Sequence, residues 1–231
     1  MRTSHSILLI FFLLITFAEC KQKNKEISRN VEPMKNRWDS IQHRLNDFKT
    51  NPMFARERGL GKLKEKDYSG AVLELNMAID RNSTDELAFY ARGIAKMGIQ
   101  DFESAISDFS EAIKISPKIE DFYVSRGISK SFLKKSQGAI NDYTKAIEIN
   151  PKSADAFLKR GNEKYQIDDN IGAIADLNMA ILINPQAGDA FYSRGQAKFR
   201  LDQKESGCLD FKKAKELGYS LANDAIKKNC Q

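Results

Sequence analysis

The dipeptide Arg-Gly occurs at Arg58-Gly59, Arg92-Gly93, Arg126-Gly127, Arg160-Gly161 and Arg194-Gly195, always 34 residues apart. A period of that length constrains the fold more than any local pattern, because one such unit cannot bury its own apolar side and must stack on a neighbour. The same period carries Ala71, Ala105, Ala139 and Ala173. It also carries Leu75, Phe109, Tyr143, Leu177 and Phe211, and then Ala78, Ala112, Ala146, Ala180 and Ala214.

Each unit reads as two helices. In the second unit, Ser83-Thr84-Asp85-Glu86 has the form of a capping box with Ser83 as the cap. Leu87, Phe89, Tyr90, Ile94 and Met97 follow at helical spacing. Asp101 opens a second helix bearing Phe102, Ala105, Ile106, Phe109, Ala112 and Ile113. The five glycines and the alanine pairs let helix axes approach to about 8 Å. Pro117, Pro151 and Pro185 close three of the units and suit the first turn of the following helix, where a missing N–H costs no hydrogen bond.

A 34-residue unit with an early aromatic (Phe89, Tyr123, Phe157, Phe191), Gly four residues later, two Ala seven apart and a closing Pro resembles the tetratricopeptide repeat. The resemblance covers residues 52–221, as units 52–85, 86–119, 120–153, 154–187 and 188–221. The end units depart from it, with Ala55 and Ser83 in the first and Gly207 and Tyr219 in the last. Terminal repeats face solvent on one side, and such divergence is expected of them. The implied fold class is all-α, a right-handed superhelical solenoid of five helix-turn-helix repeats with N- and C-terminal capping helices. Its inner face, lined by the first helices, is implied to hold an extended or helical peptide.

Charge follows the same period. Arg58, Arg92, Arg126, Arg160 and Arg194 are matched 16 residues later by Glu74, Asp108, Asp142, Asp176 and Asp210. An antiparallel helix pair brings those levels together, which predicts an Arg–carboxylate ladder. Lys62, Lys96, Lys130, Lys164 and Lys198 repeat four residues after each Arg. Ten of the 37 basic residues thus belong to the framework, so a net charge of +6 calls for no nucleic-acid partner.

Residues 1–20 differ from the rest. Arg2 and His5 precede an apolar run from Ile7 to Ala18, twelve residues spanning about 18 Å as a helix, short of the ~30 Å hydrocarbon core. This reads as a signal peptide. Cys20 stands where a bacterial lipoprotein signal has its acylated cysteine, although Glu19 departs from the small residue usual there. Two fates are open: lipidation at Cys20, or plain cleavage after Ala18. Residues 21–32 are polar and Lys-rich, a spacer. Met34, Trp38, Ile41, Leu45 and Phe48 form one apolar stripe on a helix over 33–50, either a cap on the first repeat or a dimerisation helix.

At the other end, Gly218 stops a helix, and Leu221, Ala222, Ala225, Ile226 and Cys230 form the apolar side of a capping helix over 222–231. Antiparallel packing brings Cys230 toward Cys208. They read as a disulfide or as two buried thiols, and export permits the bridge.

His43 is the single histidine after residue 20, and no phosphate loop, nucleophile elbow or paired-cysteine metal motif is present. No enzymatic activity and no cofactor or metal are expected. The residues expected on the inner face are Tyr90, Ile94, Met97, Val124, Ile128, Leu158, Asn162, Tyr165, Tyr192, Gln196 and Phe199, a mixed apolar and amide surface unless they fill contacts between repeats. The expected function is a protein-interaction scaffold at the cell envelope, with a partner the sequence does not name and a membrane link only through Cys20. The competing reading is an assembly-supporting lipoprotein without a peptide groove.

Overall fold

The computed structural model describes residues 35–43 and 51–230. The expected signal peptide over 1–20, Cys20, the expected spacer over 21–32 and the stretches 33–34 and 44–50 of the helix expected over 33–50 lie outside the described residues. The chain divides into two units, residues 1–54 and 55–231. In the first, residues 35–43 are helical, with Trp38 and Ile41 exposed.

The array is built from α1 (Pro52–Lys64), α2 (Tyr68–Arg81), α3 (Glu86–Gly98), α4 (Phe102–Ile115), α5 (Glu120–Phe132), α6 (Ser136–Ile149), α7 (Ala154–Gln166), α8 (Asn170–Ile183), α9 (Gly188–Arg200) and α10 (Lys204–Glu216), followed by α11 (Ala222–Asn229). Among the described residues there is no strand. These are the ten antiparallel helices expected, and the fold class is all-α. From α2 onward each helix packs on the next, and α3 with α5 and α7 with α9 also touch. Those are all first helices of their repeats, so the first helices form the inner ring of the superhelix.

Small residues permit the close pairing. A Cβ built on Gly93 would stand 2.5 Å from Phe109, and one on Gly127 would stand 2.6 Å from Tyr143, both far inside contact distance. Phe109 and Tyr143 are themselves buried, as are Ala105, Ala112, Ala139 and Ala146 around them. The core is therefore a chain of local clusters centred on Leu75, Tyr143 and Leu177.

The turn inside every repeat has one form. The Asp101 N–H donates to the Lys96 carbonyl at 2.9 Å and the Gln100 N–H to the Met97 carbonyl at 3.0 Å, a Schellman closure around a left-handed residue. Lys66, Gln100, Lys134, Asp168 and Asp202 hold that left-handed place, with φ between 56° and 64°, and none is glycine. The residue after each of them caps the next helix, and in three repeats it is Asp67, Asp101 or Asp169, whose carboxylate accepts a backbone N–H.

Two local expectations are corrected. The cap of α3 is Asp85, which accepts from the Ala88 N–H at 3.0 Å, and Ser83 lies outside the helix. The reason is an Asx turn: the Asn82 side chain accepts from the Thr84 N–H, which keeps 82–84 in the connection. Pro117, Pro151 and Pro185 stand in the connection between repeats, directly after the cap residues Ser116, Asn150 and Asn184, and not in the following helix. The cap N–H makes the last helical bond, and the next residue has no donor to place.

Candidate functional site

The charged columns form a frame. The Arg126 Nε donates to Asp142 at 3.0 Å and its Nη2 to the other carboxylate oxygen at 2.7 Å, while the Lys130 ammonium lies 2.7 Å from the same group. The same triad recurs as Arg92, Lys96 and Asp108, as Arg160, Lys164 and Asp176, and as Arg194, Lys198 and Asp210. Each of these guanidinium groups also sits over the aromatic three residues earlier, 5.3 to 5.7 Å from the ring centre of Phe89, Tyr123, Phe157 or Phe191. The first repeat departs: Arg58 bonds Glu74 at 2.8 Å, but Lys62 turns to Asp67 at 2.7 Å.

Sequence reading missed a third arm. The free Nη1 of Arg92, Arg126, Arg160 and Arg194 donates to Asn76, Ser110, Thr144 and Asn178, each on the second helix of the preceding repeat. The ladder therefore fastens each repeat to its predecessor as well as its own two helices together. The available signal was the column of short neutral acceptors two residues after each acid.

The expected inner-face residues divide. Tyr90 is half-buried, its ring 4.9 Å from Phe122 and 5.7 Å from Phe109, and its hydroxyl takes a bond from Ser125 at 3.3 Å. Burial pushes the Tyr90 hydroxyl pKa up, with the Ser125 bond opposing. Val124 is buried. These two fill contacts between repeats, where sequence reading placed them on the face. Ile94, Met97, Ile128, Leu158 and Asn162 remain half-exposed.

Tyr165, Tyr192, Gln196 and Phe199 are brought together. They line a cavity of about 460 Å³ at the C-terminal end of the inner face, floored by Phe211 and closed by Leu221, Asp224, Ala225, Lys228 and Asn229 of the capping segment. Phe199 stacks on Phe211 at 5.3 Å, and Tyr192 leans on Phe211 and Tyr219. Arg200 covers the Tyr165 ring at 4.1 Å and pairs with Asp168, so the rim carries a cation over an aromatic floor. A disulfide joins Cys208 on α10 to Cys230 at the end of α11, with Cα atoms 5.7 Å apart, and holds the cavity wall in place. Arg200, Asp224, Lys228 and Asn229 were not among the residues singled out from sequence, and Leu221 and Ala225 were read only as the apolar side of the capping helix.

Among the described residues there is no cluster of His, Cys, Asp or Glu fit to hold a metal, and no helix long and apolar enough to cross a membrane. Four of the five carboxylates of the charged columns are held by both an Arg and a Lys, and Glu74 by Arg58 alone.

Residues 88–119 and 120–153 match the tetratricopeptide repeat family. No curated protein sequence matches the chain. Among solved structures, MamA is similar at 22% identity, covering 74% of this chain and 94% of that one with a TM-score of 0.68. YrrB, described as a TPR protein with an unusual peptide-binding site, is similar at 18% identity, covering 80% and 97% with a TM-score of 0.69. MamA from Desulfovibrio magneticus RS-1 is similar at 19% identity, covering 73% and 96% with a TM-score of 0.69. By sequence over two adjacent repeats and by fold over the whole array, the protein carries a tetratricopeptide-repeat superhelix.

Proposed function

We propose that the protein is a non-enzymatic interaction scaffold that holds a peptide or protein segment on its inner face, with the C-terminal cavity as the principal anchor. The observation that carries this reading is the cavity itself. Four aromatic side chains from two repeats converge on a space of about 460 Å³, large enough for one or two bulky side chains of a partner. The likeness of the fold to YrrB supports a peptide as the occupant. Export and anchorage through Cys20 belong to the same proposal and rest on the apolar run Ile7–Ala18. Mass spectrometry of the mature N-terminus tests that part: an unmodified chain beginning at Glu19 sinks the anchorage at Cys20, and a chain that keeps residues 1–18 sinks export.

The binding reading is tested with a photo-crosslinking residue placed at Phe199 and, as a control, at the exposed Lys212 of α10. Partner adducts are expected from the first position and not the second. Tyr165→Ala with Tyr192→Ala should abolish them while circular dichroism keeps its helical amplitude. Equal adducts from both positions, or adducts indifferent to the double variant, refute it.

A further inference from the structure

A second cavity, about 480 Å³, lies where the third and fourth repeats meet, and its lining is polar throughout: Ser131, Lys134, Ser136, Asn162, Glu163 and Gln166. Glu163 is the unusual member. It is 7% exposed, and it stands in a column whose other members are Gly61, Ala95, Ser129 and Ala197. A carboxylate has been set into a place otherwise kept for small groups.

Every other buried carboxylate among the described residues has a cation. Asp85 is held by Arg56 at 2.9 Å, and Asp108, Asp142, Asp176 and Asp210 each by an Arg and a Lys. Glu163 takes a hydrogen bond from the Ser131 hydroxyl and forms no ion pair. Lys134 lies on the cavity rim, but it is exposed and does not pair with Glu163. Tyr143 feels the uncompensated charge: burial first, and then the Glu163 carboxylate, push its hydroxyl pKa far up. A buried carboxylate without a countercharge is unfavourable, and the unfavourable term is relieved by whatever brings a cation to it.

We propose that this cavity is a subsite for a cationic side chain, lysine or arginine, of the peptide held on the inner face. The inference rests on the reading of that face as a peptide-binding surface. Glu163 supplies the carboxylate, and Ser131, Asn162 and Gln166 supply neutral hydrogen-bonding groups around it.

The test is a nuclear magnetic resonance titration of the full chain with Nα-acetyl-arginine amide and Nα-acetyl-lysine amide, against the neutral isosteres Nα-acetyl-citrulline amide and Nα-acetyl-norleucine amide. Saturable shifts are expected at Ser131, Asn162 and Gln166 with the cations, and about tenfold weaker binding or none with the isosteres. Glu163→Gln, which keeps the shape and the Ser131 partner, should remove the preference and leave the unliganded protein at least as stable. No saturable shift with either cation, an unaltered preference in Glu163→Gln, or a clear loss of stability in that variant would overturn the proposal. Tighter binding of putrescine than of either amino-acid amide would assign the site to a free amine and overturn it too. None of these outcomes depends on adducts at Phe199, so failure here and failure of the aromatic anchor are separately visible.

Discussion

Replacing Asp142 by Asn tests whether the charged frame is a principal source of stability. The carboxylate is 4% exposed and accepts from Arg126 at 3.0 and 2.7 Å and from Lys130 at 2.7 Å, while Arg126 and Lys130 are 19% and 21% exposed. Asn keeps one acceptor oxygen but leaves two half-sheltered cations without a countercharge and turns an amide N–H₂ toward them. Breaking a buried pair in this way costs about 3 to 5 kcal/mol, and the residual solvent access of both cations puts the expectation near the lower end, about 3 kcal/mol. With a urea m-value of about 2 kcal/mol/M, the unfolding midpoint followed by circular dichroism should fall by about 1.5 M. Two comparisons calibrate the result. Glu74→Gln, whose Arg58 is 33% exposed and whose Lys62 is engaged elsewhere, should cost about 1 kcal/mol. Glu111→Gln removes a surface pair with Lys114, 46% and 78% exposed, and should cost under about 0.5 kcal/mol. If Asp142→Asn moves the midpoint no more than Glu111→Gln does, the frame is not what holds the repeats together and the reasoning fails.

Three further outcomes follow from the same packing. Gly127→Ala puts a Cβ 2.6 Å from the buried Tyr143 ring and should destabilise by about 1 to 3 kcal/mol, whereas Gly61→Ala meets nothing within 4 Å and should stabilise α1 by about 0.5 to 1 kcal/mol; calorimetric midpoints moving the same way in both variants would contradict this. Burial raises the Tyr143 pKa in the folded state, so its contribution is complete below the unfolded value of about 10 and is lost as pH rises beyond it; Tyr143→Phe should lack that alkaline loss in stability measured from pH 8 to 11. Cys230→Ser opens a loop with a sequence separation of 22, which releases about 3 kcal/mol of closure entropy to the unfolded chain, and hydrogen exchange across α11 should accelerate while α3–α6 are unaffected; unchanged protection of α11 would show that packing alone holds the cap.

The helix pairs were legible because Gly, Ala and Arg recur at fixed offsets, and offsets survive any uncertainty about where a helix begins. Local geometry was less so. The left-handed turn residues Lys66, Gln100, Lys134, Asp168 and Asp202 are polar but of no single type and none is glycine, since what fixes their φ is the Schellman pair of backbone bonds and not a side chain. Asp85 was overlooked as a cap because Ser83 with Glu86 satisfies the same spacing rule, and only the Asn82 turn decides between them. The C-terminal cavity was half visible. Tyr165, Tyr192 and Phe199 were expected on the inner face and Phe211 in a repeating column, but the wall comes from the α11 segment, whose Leu221 and Ala225 were read only as a packing stripe.

That wall also departs from the repeat register. α11 begins at Ala222, 34 residues after Gly188 opens α9, so it occupies the place of a sixth first helix. In the columns of Arg and Gly it carries Lys228 and Asn229, and it stops after 8 residues. The acceptor column that runs Asn76, Ser110, Thr144 and Asn178 reaches Lys212 in the fifth repeat. A sixth Arg docked in register would direct its free Nη1 at an ammonium instead of an acceptor, and a side chain at position 229 would obstruct the close approach that Gly195 permits. The register that stacks the other repeats is thereby blocked at this end, and α11 is held by the Cys208–Cys230 bridge in a different manner. A space remains between α9 and α11, and that space is the cavity lined by Tyr192, Gln196 and Phe199. The anchor proposed for a partner is thus a consequence of how the repeat pattern is broken, which is why no comparison among intact repeats could have located it.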